Sequence, residues 1–168
     1  MRLDTIVVGR IVNAHGIRGE VRVQPINQTP QFLTCFQTFL LDGVPVVPTA
    51  CHVHKSLVLM KLPGVDDMDA ALALKGRTLA IRRADAPLGP GECFDEELLD
   101  MEVYNADTGA LLGRIVKVED YPAHKVYTVR GEHEYLIPAV PEVFIRSADL
   151  DANRMEVHIL EGMATDEI

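Results

Sequence analysis

The chain has no tryptophan, and aromatic residues make up only 5% of it, so packing falls to Val, Leu, Ile and Ala. No apolar run approaches the ~18 residues that a membrane-spanning helix needs. The opening segment is interrupted by Asp4 and Arg10 with no cleavage-like site after it, which argues against a secretory leader. Cysteine is scarce: Cys35, Cys51 and Cys93 are odd in number and widely scattered. That usage suits reduced thiols in a cytoplasm better than a disulfide framework. Neither common nucleotide-binding fingerprint is present, and Gly89-Pro90-Gly91 does not make a phosphate loop. There is no fixed-period repeat and no low-complexity tract.

What is there is a 168-residue chain that is 48% hydrophobic, enough for one medium domain or two small ones with packed cores. The net charge of −9 hides a split. Residues 1–85 hold ten Lys/Arg against seven Asp/Glu, a net of +3, whereas residues 86–168 hold six against eighteen, a net of −12. A mildly basic half can approach phosphates; an acidic half repels them and attracts basic protein. The plainer reading of the acidic half is that its carboxylates keep it soluble.

Short β-type runs at 5–12, 20–25, 39–41, 51–54, 57–62 and 78–81 are punctuated by Gly, Pro, Asn and Asp, as in a small barrel or sandwich. One helix interrupts them. Asp66 or Asp67 caps it, Met68, Ala71 and Leu72 line one face to plug a mouth of the barrel, and Gly76 lies beyond its end. Residues 84–92 carry two prolines and two glycines where the charge changes sign, and read as a linker between a domain at 1–83 and another at 93–160. After a helical turn near 94–99, strands at 101–104, 111–119, 125–130, 134–137, 143–146 and 154–159 follow at hairpin spacing, suggesting a small closed barrel. Residues 161–168 read as a solvated tail. The fold class is mostly β: two small β-barrels joined by a linker.

The stretch at 8–23 carries the sharpest functional pattern. Val21 and Val23 point to one side of a strand, and Glu20, Arg22 and Gln24 to the other. Before it, His15, Gly16, Arg18 and Gly19 form a tight corner. Arg10, His15, Arg18 and Arg22 thus form a candidate clamp for RNA phosphates. The alternative is a structural turn in which His15 bonds its own loop. No nucleophile stands beside a base here, so catalysis is not indicated. His52 and His54 share a strand face but lack further ligands at metal spacing, and Asp66, Asp67 and Asp69 lack the Gly and distal Glu of a calcium loop. No metal or cofactor is expected. Glu96, Glu97 and Asp100 read as a solvated acidic face rather than an acid–base pair. Phe94, Leu98 and Leu99 beside them are either core or apolar anchors of an acidic-rimmed interface. Phe94, Glu96, Glu97, Leu98 and Asp100 are therefore the candidate protein-binding residues. A different class of reading is a flavin-dependent β-barrel reductase in which His15 and Arg18 grip the cofactor phosphate.

Three passages, in this order and spacing, resemble the bacterial ribosome maturation factor RimM family: Gly9-Arg10-Ile11-Val12 with His15-Gly16-Ile17-Arg18-Gly19-Glu20-Val21-Arg22-Val23; Gly64-Val65-Asp66-Asp67 with Ala70-Ala71 and Gly76; and Leu136-Ile137-Pro138-Ala139-Val140-Pro141 with Asp149-Leu150 and Glu161-Gly162. The resemblance implies a translation-factor-like six-stranded barrel followed by a PRC-type barrel. It implies a non-catalytic, monomeric, cytoplasmic factor that binds ribosomal protein S-nineteen and small-subunit ribosomal RNA on the immature small subunit, away from any membrane. A PRC-type adaptor serving another complex is the remaining alternative. Where relatives commonly carry paired tyrosines at the linker's end, this chain has Cys93-Phe94; their Asp-Leu-Ile-Gly is Glu97-Leu98-Leu99-Asp100 here, and a late Asn-Asp is His124-Lys125.

Overall fold

The computed structural model describes residues 1–89 and 92–165. Pro90 and Gly91 of the expected linker, and 166–168 of the expected tail, lie outside the described residues. The chain divides into two compact units, Asp4–Pro87 and a second made of Met1–Leu3 with the chain from Leu88 onward. The division falls inside the segment read as a linker, but two details differ from the sequence expectation. Residues Arg83–Asp85 form a 3-10 turn tied back by Arg83 N–H donating to the Asp4 carbonyl, so they extend the first unit. The first three residues belong to the second unit, a long-range docking that strand periodicity cannot reveal.

In the first unit, strands β1 (Thr5–His15), β2 (Glu20–Pro25), β3 (Phe39–Leu41), β4 (Val44–Val46), β5 (Ala50–His54), β6 (Leu57–Lys61) and β7 (Thr78–Arg82) form one sheet in the order β4-β3-β7-β1-β2-β6-β5. Seven strands stand where six were expected. The extra one, β4, holds only three residues with Pro45 at its centre, which only a sheet edge tolerates. Alternation decides the buried face: Ile6, Val8, Ile11, Val21, Val23, Val58, Met60, Leu79 and Ile81 are all buried. Helix α1 (Pro30–Leu33) starts at Thr29, whose hydroxyl accepts from the Phe32 N–H at 3.3 Å, and sends Leu33 into the core. Helix α2 (Met68–Leu72) is capped by Asp67, which accepts from the Ala70 N–H at 2.7 Å. Of the three residues expected on its buried face only Ala71 is buried. Met68 and Leu72 are exposed, because the helix is barely more than one turn and turns a single residue inward.

The second unit contains helix α3 (Asp95–Leu98) and strands β8 (Glu102–Asn105), β9 (Leu111–Asp120), β10 (Lys125–Arg130), β11 (Glu134–Pro138), β12 (Ile145–Asp149) and β13 (Arg154–Val157), ordered β11-β10-β9-β8-β13-β12. Hairpin spacing suggested antiparallel neighbours throughout, but β13 returns to lie parallel to β8. Leu98, Met101, Val103, Leu112, Ile115, Val129, Ile137, Met155 and Val157 build the core. The stretch read as a solvated tail is partly docked. Met163 packs against this core, Ala164 is buried and bridges to Tyr135, and the Thr165 N–H donates to the Glu134 carbonyl at 2.7 Å. Among the described residues no helix is long and apolar enough to cross a membrane.

Two glycines at the β1–β2 corner separate conformational need from space. Gly16 (φ 68°) has nothing within 4 Å of a would-be Cβ, whereas at Gly19 (φ 87°) a Cβ would sit 2.2 Å from the Val65 carbonyl oxygen. Gly16→Ala is expected to cost about 1 kcal/mol through backbone strain alone. Gly19→Ala should cost about 2 kcal/mol or more, since the backbone must also move. Urea denaturation of the two variants checks the difference; equal losses would show that the Val65 contact does not constrain the corner.

Candidate functional site

The corner is built by register. His15, the last residue of β1, pairs with Glu20, the first of β2, so four residues make the turn between them. The segment after β6 supports that turn from beneath. Lys61 pairs across with Glu20, and its ammonium donates to the Val65 carbonyl and, at 3.1 Å, to Asp66. Val65 in turn fills the space beside Gly19. The two sequence passages around Gly16 and Gly64, separate in the chain, thus form one structural piece. Asp66 and Asp67 are occupied by Lys61 and the helix cap, which accounts for the carboxylate cluster without a cation. Among the described residues no three His, Cys, Asp or Glu side chains come together as a metal site.

On the outward face, Arg22 Nε donates to His15 Nδ1 at 3.2 Å. A ring nitrogen that accepts carries no proton, so the imidazole keeps its own N–H on Nε2. The His54 ring lies 5.7 Å from that of His15, tilted by 52°. His54 read from sequence as an ordinary strand residue, and only the β2-β6-β5 pairing brings it to the corner. Arg18 shares with His15, Gly16, Ile17 and Glu20 a surface cavity of about 270 Å³. Arg10 stands apart. It pairs with Gln24 and Thr78 and lines a second cavity, of about 400 Å³, with Gln24, Pro25, Ile26 and Asn27. Five residues of strand put it about 16 Å from the tip. The structure therefore brings His15, Arg18 and Arg22 together and leaves Arg10 on the same sheet face at a distance.

Charge is organised differently in the two units. In the second, all six basic residues from 86 onward are ion-paired: Arg114 with Asp100 and Glu102, Lys117 with Glu119, Lys125 with Asp95 and Asp120, Arg130 with Glu134, and Arg146 and Arg154 with Glu156. Arg2, which belongs to the same unit, pairs with Asp151. Burial works against the charge on Lys125, but hydrogen bonding and attraction from Asp95 and then Asp120 raise its pKa overall, so the ammonium stays charged at neutral pH. In the first unit Lys61 and Arg77 are ion-paired, while Arg10, Arg18, Arg22, Lys55, Lys75 and Arg82 have no carboxylate partner among the described residues.

The candidate protein-binding group near α3 requires correction. Phe94, Glu97 and Leu98 are buried, so these side chains are closed to a partner. Glu97 in particular is fully occupied: Oε1 accepts from the Phe94 N–H at 3.1 Å, closing the helix start, and Oε2 accepts from the Leu3 N–H at 3.0 Å. Sequence reasoning counted its charge but had no signal for the amide of Leu3, 94 positions away. Glu96 is half-buried, and Asp100 is exposed and pairs with Arg114. Leu99, which sequence reasoning grouped with the core or anchors, is 42% exposed between them. Tyr127 behind α3 has its hydroxyl pushed up to about 12, by burial first and then by Cys93 and Asp95, so it remains neutral.

Two family models cover most of the chain: a RimM N-terminal domain matches residues 6–86, and a RimM PRC barrel domain matches residues 95–163. The chain belongs to the RimM family. Curated relatives agree. Each of three is called Ribosome maturation factor RimM. The one from Symbiobacterium thermophilum is 33% identical, covering 98% of this chain and 97% of its own length. That from Clostridioides difficile is 32% identical (96% and 97%), and that from Thermoanaerobacter sp. is 34% identical (95% and 99%). The protein is thus a ribosome maturation factor by family, with a PRC barrel as its second unit. The RimM signature passages include the corner and its support, the two pieces that meet at Gly19 and Val65.

The corrected role of Glu97 is testable. Glu97→Ala leaves two inward N–H groups without acceptors and should lower stability by about 2–4 kcal/mol, with Glu97→Gln intermediate because its amide oxygen can still accept. Asp100→Asn, at the surface, should change it by less than about 0.5 kcal/mol. Chemical denaturation curves decide; a Glu97→Ala protein as stable as the parent would return Glu97 to the surface.

Proposed function

We propose that this ribosome maturation factor acts late in assembly of the small ribosomal subunit, engaging the head of the immature particle with two dissimilar surfaces and making or breaking no bond. The first unit engages ribosomal RNA through Arg10, His15, Arg18 and Arg22. The second engages a basic head protein, ribosomal protein S-nineteen, through groups near α3: the half-buried Glu96 and the exposed Leu99 and Asp100. Both tasks belong in the cytoplasm, where ribosomes are assembled. The observation that carries this reading is the distribution of unpaired charge. Arg10, Arg18 and Arg22 have no carboxylate partners among the described residues and lie along one side of the first unit's sheet, while the basic residues of the second are each neutralised at home. Free guanidiniums attract phosphate, and an acidic surface whose cations are already spent attracts a basic protein.

A factor of this kind works by binding the near-final conformation of the head better than its misfolded alternatives, which shifts the population toward it. Two contacts on one chain raise the effective concentration of the second once the first is made.

Co-sedimentation should recover the chain with precursor small subunits and much less with finished ones; equal recovery would contradict the reading. The salt dependence tests the RNA surface separately. Replacing Arg18 and Arg22 together by Gln should reduce the slope of log affinity against log salt by about one for each phosphate left without its arginine. An unchanged slope would remove them from the RNA surface. Glu96→Lys with Asp100→Lys should weaken binding to the isolated head protein while leaving RNA affinity intact.

A further inference from the structure

We infer that the corner cavity takes the Watson–Crick edge of an unpaired guanine in RNA; the inference rests on the reading that this unit engages RNA, and it specifies what the corner reads. The cavity is lined by His15, Gly16, Ile17, Arg18 and Glu20. Its chemistry does not match a phosphate, because Glu20 contributes a carboxylate. That carboxylate has no hydrogen bond or ion pair among the described residues. Lys61, its neighbour across the sheet, turns its ammonium instead to the Val65 carbonyl and Asp66. Arg18, on the same cavity, is likewise without a carboxylate partner among the described residues.

An unspent acceptor and unspent donors on one small cavity call for a ligand that presents both. His15 adds a directed donor, since its Nδ1 accepts from Arg22 and its Nε2 therefore carries the hydrogen. Ile17, 78% exposed at the tip, offers an apolar surface to the face of a ring. A nucleobase has such a face and such an edge, and an unpaired base is free to show both. Among the four bases, guanine alone sets two adjacent donors, N1–H and the N2 amine, beside an acceptor, O6. Both can donate to the two oxygens of Glu20 while O6 accepts from His15 Nε2–H or Arg18. A phosphate flanking the base falls to Arg22, and one farther along the RNA to Arg10, on the same sheet face. Those arginines, without carboxylate partners among the described residues, favour RNA over a peptide, whose backbone also carries donors and acceptors but no matching negative charge.

The test uses the full chain and labelled RNA hairpins that share one stem and differ only at the centre of a uridine loop: guanosine, inosine (which lacks the N2 amine) or adenosine. Binding is measured at several salt concentrations, with parent protein and with Glu20→Gln. Expected are roughly tenfold weaker binding of the inosine loop than of the guanosine loop, weaker binding still of the adenosine loop, and loss of the guanosine–inosine difference in Glu20→Gln with an unchanged salt slope. Equal affinity for all three loops, or Glu20→Gln weakening all three alike, overturns the guanine assignment while leaving RNA engagement standing. Failure to bind any hairpin at low salt, with capture of a basic head protein by this unit's corner instead, overturns the RNA reading and the inference with it. Thermal melting of Glu20→Gln, expected to match the parent, shows that any loss is one of recognition.

Discussion

A peptide carbonyl at Val65 occupies the space that a side chain on residue 19 would need, and the shape of the β1–β2 corner depends on that close approach. Only glycine both adopts the left-handed conformation there and lets the two backbones come so near. Lys61 fastens the supporting segment from the other side by donating to the same carbonyl and to Asp66. The corner is therefore a braced turn at the end of two interior strands rather than a free loop, and His15, Arg18 and Glu20 stand on that held backbone. Backbone held this way loses little further freedom on binding, which is what a recognition surface on a small protein needs.

The two units handle charge in opposite ways. Cross-strand pairs in the second unit consume every cation from residue 86 onward: Arg114 reaches two carboxylates, and Glu156 receives Arg146 and Arg154. Each such surface pair adds little to stability. Together they strip the surface of free positive charge, leaving the excess acidic groups to set its field. In the first unit carboxylates are fewer, and two of them, Asp66 and Asp42, sit on Lys61 and Arg77. Among the described residues the arginines of the corner face have no carboxylate partner. Net charge by halves hinted at this division, but the pairing is what turns a modest +3 into an accessible cationic face.

Much of the fold is legible in the sequence where structure follows local rules. The alternation around Val21 and Val23 locates β2 and its buried face, and Asp67, one of the two candidate caps, caps the helix. Local rules fail where a residue's fate is set by distant chain. Glu97 has the composition of a surface carboxylate, yet the amides of Phe94 and Leu3 hold it in the interior. Val44–Val46 is too short and too interrupted by proline to signal a strand, and becomes one only by pairing with β3 at an edge. Ala164 and Met163 look like tail residues until the strand they dock on is known. At the corner, the nearness of Arg18 to His15 follows from their closeness in sequence, whereas His54 and the bracing by Val65 arise from strand order alone.

The central claim, that the two units divide RNA from protein, is tested most directly by cross-linking the chain on immature small subunits and mapping the adducts by mass spectrometry. The account predicts RNA adducts concentrated between residues 10 and 22, with protein cross-links between residues 95 and 100 to a basic protein of the head. RNA adducts concentrated in the second unit, or protein cross-links concentrated at the corner, would contradict it.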